Sequence, residues 1–156
     1  FDPWAGCPSN LGWVHRWKGY SPNNFIQPTA IAIDNYGKIW VADTGYNPNY
    51  IEEFDSGGTT WITQWPTIPN CVANGMAVTS VVTAGPVTTD YIYISDIANQ
   101  LVEEYDQNGN LIREWGNPHG PHEFQPFKPS CIALDTTNNQ IIVGDQNNDT
   151  IEVFGP

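Results

Sequence analysis

The sequence predicts an all-β protein made of repeated four-stranded antiparallel units. Three landmarks recur at intervals of about fifty residues: an Asp ends each second strand, an aromatic residue ends each third strand, and a Trp ends each fourth strand. They are Asp43, Asp96 and Asp145; Phe54, Tyr105 and Phe154; and Trp17, Trp65 and Trp115. This interval is typical of β-propeller blades, and no helical periodicity competes with it. We therefore predict a β-propeller with about three blades in this chain.

The first complete unit shows what defines a blade. Between Pro28 and Asp55, three short runs rich in Ile, Val and aromatic residues are separated by clusters of Gly, Asn and Asp. Alternation of apolar runs with turn residues is typical of an antiparallel meander. A fourth run at residues 59–65 completes the unit.

The remaining chain repeats this unit with differences. We predict an irregular arm over residues 1–10 and one propeller domain over residues 11–156. In that domain a lone strand at 11–17 precedes repeats at 28–65, 69–115 and 129–154. Asn74-Gly75 is expected to break the first strand of the second repeat, which also carries a long polar insertion, and Asn108-Gly109 predicts a tight hairpin. The third repeat stops one strand short.

These residues also carry a family resemblance. Three motifs of the first repeat resemble the NHL repeat: PTAIAID at 28–34, IWVADTG at 39–45 and IEEF at 51–54. The resemblance covers residues 11–154 and is best in the first and third repeats. It implies four-stranded propeller blades, an architecture that hosts enzymes and binding modules alike.

Composition narrows the classes of partner. The 156 residues suffice for one domain, and 17 acidic against 5 basic side chains give a net charge of −12. A field of this sign disfavours nucleic acid and anionic membranes but allows cations and uncharged sugars. No apolar run is long enough for a transmembrane helix. Low Lys content with abundant Asn, Thr, Gly and Trp favours an extracellular or cell-surface location, with the periplasm as another option.

The strand count predicts an incomplete ring. One N-terminal strand, two four-stranded repeats and one three-stranded repeat together supply the strands of three blades, whereas closed propellers have about four to eight blades. We expect the 11–17 strand of one molecule to add to the last strand of the next, giving a six-bladed dimer or, if rotation does not close, a fibre. The pairing strands carry Trp13, Val14, Trp17, Ile151, Val153 and Phe154. The alternative is that this chain is part of a longer protein.

Two groups of residues have the chemistry of metal ligands. His119, His122 and Glu123 form a weak zinc candidate, although a connecting loop explains the segment better. Five Asp residues recur at strand ends, and calcium is a minor alternative to a structural role in the turns that follow. They are Asp34, Asp43, Asp96, Asp135 and Asp145. We therefore predict no resident cofactor.

Cysteine, tryptophan and glycosylation patterns add weaker predictions. Three cysteines (Cys7, Cys71, Cys131) allow one disulfide of open pairing, or three buried thiols. Cys71 and Cys131 are expected at equivalent positions, both matching Ala30. Trp17, Trp40, Trp65 and Trp115 are expected to pack in or between blades, whereas Trp4, Trp13 and Trp61 are less constrained and are candidates for a sugar-stacking or protein-binding platform. Asn148 lies in the single glycosylation sequon.

These observations favour a non-enzymatic extracellular propeller that binds partners or assembles with itself. No nucleophile elbow, catalytic triad pattern or phosphate-binding loop appears in the chain. The expected partners are a second copy of the chain and a protein or carbohydrate ligand. The alternatives are a secreted metal-dependent lyase or hydrolase, which some NHL-like propellers are, and a sensor or adaptor segment of a larger protein.

Overall fold

The computed structural model describes residues 16–19, 24–82, 88–116 and 127–155. All regular structure in these ranges is β-strand, which confirms the predicted all-β class. The strands are β1 (Pro28–Ile33), β2 (Ile39–Asp43), β3 (Tyr50–Phe54), β4 (Trp61–Pro66), β5 (Ala73–Val82), β6 (Thr88–Asp96), β7 (Leu101–Asp106), β8 (Leu111–Trp115), β9 (Pro129–Asp135), β10 (Gln140–Asp145) and β11 (Thr150–Phe154). Within the described ranges, no helix is long and apolar enough to cross a membrane.

The strands form three antiparallel meanders, which we call blades 1, 2 and 3. Blade 1 has the order β1-β2-β3-β4 and blade 2 the order β5-β6-β7-β8. Blade 3 consists of β9, β10 and β11 among the described residues. Every strand pair is antiparallel and joins neighbours in sequence. This is the arrangement expected of propeller blades.

The first strands of the blades lie side by side, as inner strands around a propeller axis do. β5 packs against β1 on one side and β9 on the other. Hydrogen bonds join the blades there: Thr29 Oγ1 donates to the Ala73 carbonyl at 2.7 Å, and Ser95 Oγ donates to the Ser130 carbonyl at 3.4 Å. Each blade therefore has an upstream face, toward the preceding blade in sequence, and a downstream face, toward the next.

Two apolar cores fill the interfaces between blades. Between blades 1 and 2, Trp40, Ile51 and Trp65 pack against Ile92 and Tyr105. Between blades 2 and 3, Tyr93 and Val102 pack with Phe127, Ile141 and Val143. The alternation of side chains along each strand gives every blade two apolar faces, so each blade needs a neighbour on both sides.

The strand-end Asp residues act in turns, as predicted. Asp43 accepts the Ile26 and Gln27 backbone N–H groups at 2.8 and 2.6 Å, and Asp96 accepts the Val72 N–H at 2.9 Å. These bonds tie the end of each second strand to the segment entering the inner strand. Asp34, Asp135 and Asp145 likewise accept backbone N–H bonds from the residues that follow them.

One prediction about the second repeat is wrong. Asn74-Gly75 does not break the first strand, because β5 runs from Ala73 to Val82 and absorbs these residues in a register shift between Ala73 and Gly75. Blade 1 has the same shift between Pro28 and Ala30. Part of the expected polar insertion extends the β5–β6 hairpin, where residues 79–82 pair with residues 88–91.

Strand pairing corrects the predicted equivalence of Cys71 and Cys131. Cys131 pairs with Gly144 inside β9, whereas Cys71 lies before β5. The residue after Cys71 donates its backbone N–H to Asp96, and the residue after Phe127 donates its backbone N–H to Asp145. Cys71 is therefore the equivalent of Phe127. The residue that matches Ala30 in blade 2 is Gly75.

The predicted β7–β8 hairpin forms at Asn108-Gly109. Asp106 and Asn110 close the loop with a backbone hydrogen bond of 3.0 Å, and Gly109 has φ of 81°. Three loop residues with a left-handed Gly match the type I turn followed by a bulge, rather than the tighter two-residue turn. A side chain at Gly109 would also meet Trp65, so glycine is required twice over.

Candidate functional site

The upstream face of blade 1 is an open apolar surface. Ile31 and Ile33 alternate along β1 with Ala30 and Ala32, which pack into the core shared with blade 2. Ile31 and Ile33 therefore point away from that core, and both are largely exposed. Beside Ile31, an apolar pocket of about 400 Å³ lies between β1 and the segment containing Trp17 and Phe25.

The downstream face of blade 3 is the second open surface. Ile142 pairs with Val153 on one side and Ala133 on the other, so the three side chains share a face. Ile151 and Cys131 extend this face, because both lie over Gly144. Ile151 and Val153 are exposed, and Cys131 is an exposed free thiol.

Equivalent positions in the other blades are buried by a neighbouring blade. Ile151 is 66% exposed, whereas its counterpart Val102 in blade 2 is 0% exposed. At the other open face, Ile31 is 59% exposed and its counterpart Met76 is 7% exposed. The two open faces therefore have the side chains of interior blade interfaces without the blades that would cover them.

Trp17 occupies the place of a residue from a preceding blade. Its ring lies 6.2 Å from that of Phe54 in an edge contact. Trp65 contacts Tyr105 at 4.8 Å, and Trp115 contacts Phe154 at 6.3 Å, each from the outer strand of one blade to the next blade. The predicted packing of these tryptophans between blades is thus present at two interfaces, and Trp17 repeats the contact on the upstream face of blade 1.

A groove of about 620 Å³ opens between blades 2 and 3. Tyr93 donates to Glu104 at 3.1 Å, and Arg113 forms an ion pair with Glu104 at 2.7 Å. The Arg113 guanidinium also lies 4.9 Å from the centre of the Trp115 ring. Burial and the Glu104 carboxylate raise the pKa of Tyr93, so its hydroxyl stays protonated. The groove combines aromatic surface with a fixed cation and hydroxyl groups, a mixture suited to polar ligands.

A buried polar cluster lies on the upstream face of blade 2. One ligand-type atom each from Cys71, Asp96 and Glu103 lies within 4.8 Å of the other two, and all three residues are fully buried. The Tyr105 hydroxyl donates to Glu103 Oε2 at 2.6 Å and accepts the Ile68 N–H at 3.2 Å.

Burial controls protonation in this cluster. It raises the pKa of Glu103 to about 8, which the Tyr105 hydrogen bond opposes and the Asp96 carboxyl reinforces. Burial also strongly raises the pKa of the Cys71 thiol, and the Glu103 and Asp96 carboxylates add to that effect. Both shifts favour the protonated forms of Glu103 and Cys71.

The structure describes only some of the predicted site residues. Trp17, Ile151 and Val153 belong to the open blade faces described above, whereas Phe154 packs between blades 2 and 3. Trp4, Trp13, Val14, Cys7, His119, His122 and Glu123 lie outside the described residues. Trp40 is fully buried in the core as predicted, whereas Trp61 is half-buried. Asn148 lies in the β10–β11 turn, where its amide donates to Asp145 at 2.6 Å, and its glycosylation stays a prediction.

The sequence interpretation missed Glu103 and Arg113. The signal for both was present in the doubled Glu pairs of the third strands, Glu52-Glu53 and Glu103-Glu104. Because neighbouring residues of a strand point to opposite faces, each pair must place one carboxylate in each blade interface. Buried carboxylates need partners, and this requirement points to the few cations of the chain.

No family model matches the chain. Peptidyl-glycine alpha-amidating monooxygenase of Mus musculus is 25% identical over 137 residues, which cover 85% of this chain and 14% of that protein. Peptidyl-glycine alpha-amidating monooxygenase B of Xenopus laevis is 20% identical over 140 residues, covering 88% of this chain and 16% of that protein. The human (Homo sapiens) NHL repeat-containing protein 3 is 34% identical over 53 residues, covering 34% of this chain and 15% of that protein.

The chain thus spans between 14% and 16% of the length of these relatives. Identity is low, and the highest value is confined to a third of the chain. The similarity to an NHL repeat-containing protein nevertheless agrees with the three antiparallel sheets. Taken together, they support a propeller-like chain with repeats of the NHL type.

Proposed function

We propose that this chain is a non-catalytic, extracellular binding scaffold whose copies complete one another's propeller. Two copies associate head to tail, so that the downstream face of blade 3 in one covers the upstream face of blade 1 in the other. Two such contacts related by a two-fold axis give a six-bladed ring. The observation that carries the proposal is the exposure of Ile31 and Ile151 at positions that neighbouring blades bury elsewhere.

The edge of blade 3 supports the same arrangement. Among the described residues β11 pairs only with β10, so one edge of β11 is open to a further strand. An open edge with apolar side chains is a site for strand addition. Trp17 already lies on blade 1 as a blade-closing Trp would. We therefore expect the strand predicted at residues 11–17 to pair with β11 of the partner copy.

The two open faces are also chemically compatible. On the downstream faces of blades 1 and 2, Glu53 forms an ion pair with Lys38 and Glu104 forms one with Arg113. The equivalent position in blade 3 is Val153. The downstream face of blade 3 is therefore more apolar than those of blades 1 and 2, and it suits the Ile31 and Ile33 surface. Burial of apolar area must overcome repulsion between two chains of charge −12, so added salt strengthens the assembly.

Truncation tests this proposal. Deleting residues 1–10 leaves the pairing strand in place and should preserve the assembly, whereas deleting residues 1–19 should abolish it. The readout is molar mass by light scattering at matched concentration, with circular dichroism as a check on folding. Unchanged assembly of a folded 1–19 deletion would contradict strand complementation.

Within this scaffold, the groove between blades 2 and 3 suits a neutral carbohydrate. Trp115 and Tyr91 offer ring faces for stacking, and Arg113 offers hydrogen-bond donors. A glycan array screened with the intact chain should show binding that Trp115→Ala removes. A variant such as Ile62→Ala, on the outer strand of blade 1, should bind as the unmodified chain does.

The second candidate is a metal-dependent lyase or hydrolase, and the alignment with an enzyme, an amidating monooxygenase, is the observation that keeps it open. The alignment covers 85% of this chain, although this is a small part of the relative. The test is incubation of the intact chain with a peptide that ends in α-hydroxyglycine, with and without added Zn²⁺ and Ca²⁺, because cleavage of that group to the amide needs no oxidant. Mass spectrometry would reveal any amidated product. Absence of product under all these conditions would count against the enzyme.

A further inference from the structure

The buried cluster on blade 2 has the composition of a metal site. Its three side chains come from separate segments: Cys71 precedes β5, Asp96 ends β6, and Glu103 lies in the middle of β7. One sulfur and two carboxylate oxygens lie within 4.8 Å of one another in a fully buried position. The site also spans an interface, because Asn49 of blade 1 donates through its side-chain amide to the Cys71 carbonyl.

One oxygen of this cluster lacks a donor. Tyr105 binds Oε2 of Glu103, but no described residue donates a hydrogen bond to the buried Oε1. The proton on Glu103 relieves the cost of burying this oxygen, and a cation that displaces the proton would satisfy the same oxygen. The Glu103 side chain is fully buried and lies against the thiol and the second carboxyl group.

Surrounding groups hold both carboxylates in place. Asp96 Oδ1 accepts backbone N–H bonds from Val72, Ala98 and Asn99 at 2.9 to 3.1 Å, and the Asn99 amide holds Oδ2 at 2.6 Å. Tyr105 plays the same part for Glu103. Outer hydrogen bonds of this kind orient carboxylate ligands in metal sites.

Comparison of the three blades shows that the thiol is a local addition. The Asp and Glu occur in every blade, as Asp43 with Glu52 and as Asp145 with Glu152. At the Cys71 position, however, the other blades carry Ile26 and Phe127; at the Tyr105 position they carry Phe54 and Phe154. Of the described blades, only blade 2 combines a thiol with a hydroxyl that orients the Glu.

We propose that Cys71, Asp96 and Glu103 bind a divalent cation of the zinc class between blades 1 and 2. A thiolate with two carboxylate oxygens suits zinc, whereas calcium and magnesium prefer oxygen alone. Binding releases the protons of the thiol and the Glu103 carboxyl to solvent. A tetrahedral ion keeps one position for a small ligand such as water, and it joins the entry to blade 2 with its second and third strands.

Refolding with metal tests the site. The intact chain is stripped of metal with a chelator, unfolded in urea and refolded with Zn²⁺ alone or Co²⁺ alone. We expect one tightly held zinc per chain and a rise in melting temperature that saturates at one equivalent. The cobalt form should show a thiolate-to-metal charge-transfer band in the near ultraviolet. A folded protein that retains no zinc and shows no such band would overturn the proposal.

Matched variants locate the ion. Cys71→Ser should lose the band and the thermal shift, whereas Cys131→Ser, on the exposed face of blade 3, and Cys7→Ser should keep both. If Cys71→Ser does not fold, Glu103→Gln decides, because its amide keeps the shape of the side chain and donates to Asp96. We expect Glu103→Gln to weaken zinc binding at least tenfold. Undiminished binding by that variant, or loss of binding in Cys131→Ser or Cys7→Ser, would contradict the assignment.

Discussion

Replacing Ile151 by alanine should weaken association between copies without weakening the fold of one chain. Ile151 is 66% exposed, so its truncation leaves no cavity in the monomer. Full burial of an Ile side chain contributes about 1.5–3 kcal/mol, and covering the exposed part of Ile151 therefore contributes about 1–2 kcal/mol. A two-fold dimer contains the contact twice, so the dimer should lose about 2–4 kcal/mol, which raises its dissociation constant roughly 30- to 700-fold.

The assay is analytical ultracentrifugation over a dilution series of the intact chain. Ile112→Ala is the matched control, because Ile112 is also exposed but lies on β8 of blade 2, away from both open faces. The dissociation constant should rise in Ile151→Ala and stay unchanged in Ile112→Ala, with equal melting temperatures at low concentration. Equal dissociation constants in the two variants would refute our assignment of the blade 3 face as an interface.

Three further predictions concern the buried charges and turns of the chain. Lys38→Ala should lower the free energy of unfolding in urea by about 1–2 kcal/mol, because it leaves the buried Glu53 carboxylate without its cation. The effect should be smaller than for a fully buried ion pair, because the Lys38 ammonium is half-exposed. A double-mutant cycle with Glu53→Ala that gives no coupling would contradict this. Tyr105→Phe should fit the packing, since blades 1 and 3 carry Phe at this position. It should nevertheless lower the free energy of unfolding in urea by about 1–3 kcal/mol, because the hydrogen bond to Glu103 is lost. An unchanged free energy of unfolding would contradict a stabilising role for this hydrogen bond. Burial raises the pKa of Asp145, but hydrogen bonds from neighbouring amides outweigh this and lower it overall. The stabilisation that the Asp145 carboxylate gives the fold is therefore complete above the unfolded pKa of about 3.9 and is lost as pH falls through the folded pKa. The drop in the free energy of unfolding on acidification should be smaller in Asp145→Asn than in the unmodified chain. An identical pH profile for the two proteins would contradict this.

Sequence patterns predicted the fold well because propeller blades repeat at a nearly constant interval. The Asp, aromatic and Trp landmarks lie at strand ends, where the turn hydrogen bonds and the contacts between blades require them. Those requirements recur in every blade and can be counted from one sequence. The period therefore indicated strands, blades and the packing of Trp65 and Trp115 correctly.

The candidate site was harder to predict, because local shifts change which residues correspond. Proline spacing aligned Cys71 with Cys131, but the residue equivalent to Pro129 is Ala73 rather than Pro69. Cys71 therefore lies in the loop before β5, where it meets Asp96 and Glu103. The burial of Glu103 also depends on blade 1 lying over it, which is a tertiary effect absent from any local pattern.

Molar mass in solution tests the central claim of blade completion most directly. Light scattering of the intact chain at micromolar concentration and physiological salt should give twice the 17.4 kDa mass of one chain, or a larger multiple if the contacts do not close. The mass should fall to that of one chain when Ile151 and Ile31 are both changed to Asp. A folded protein that stays at 17.4 kDa at every concentration tested would contradict the claim.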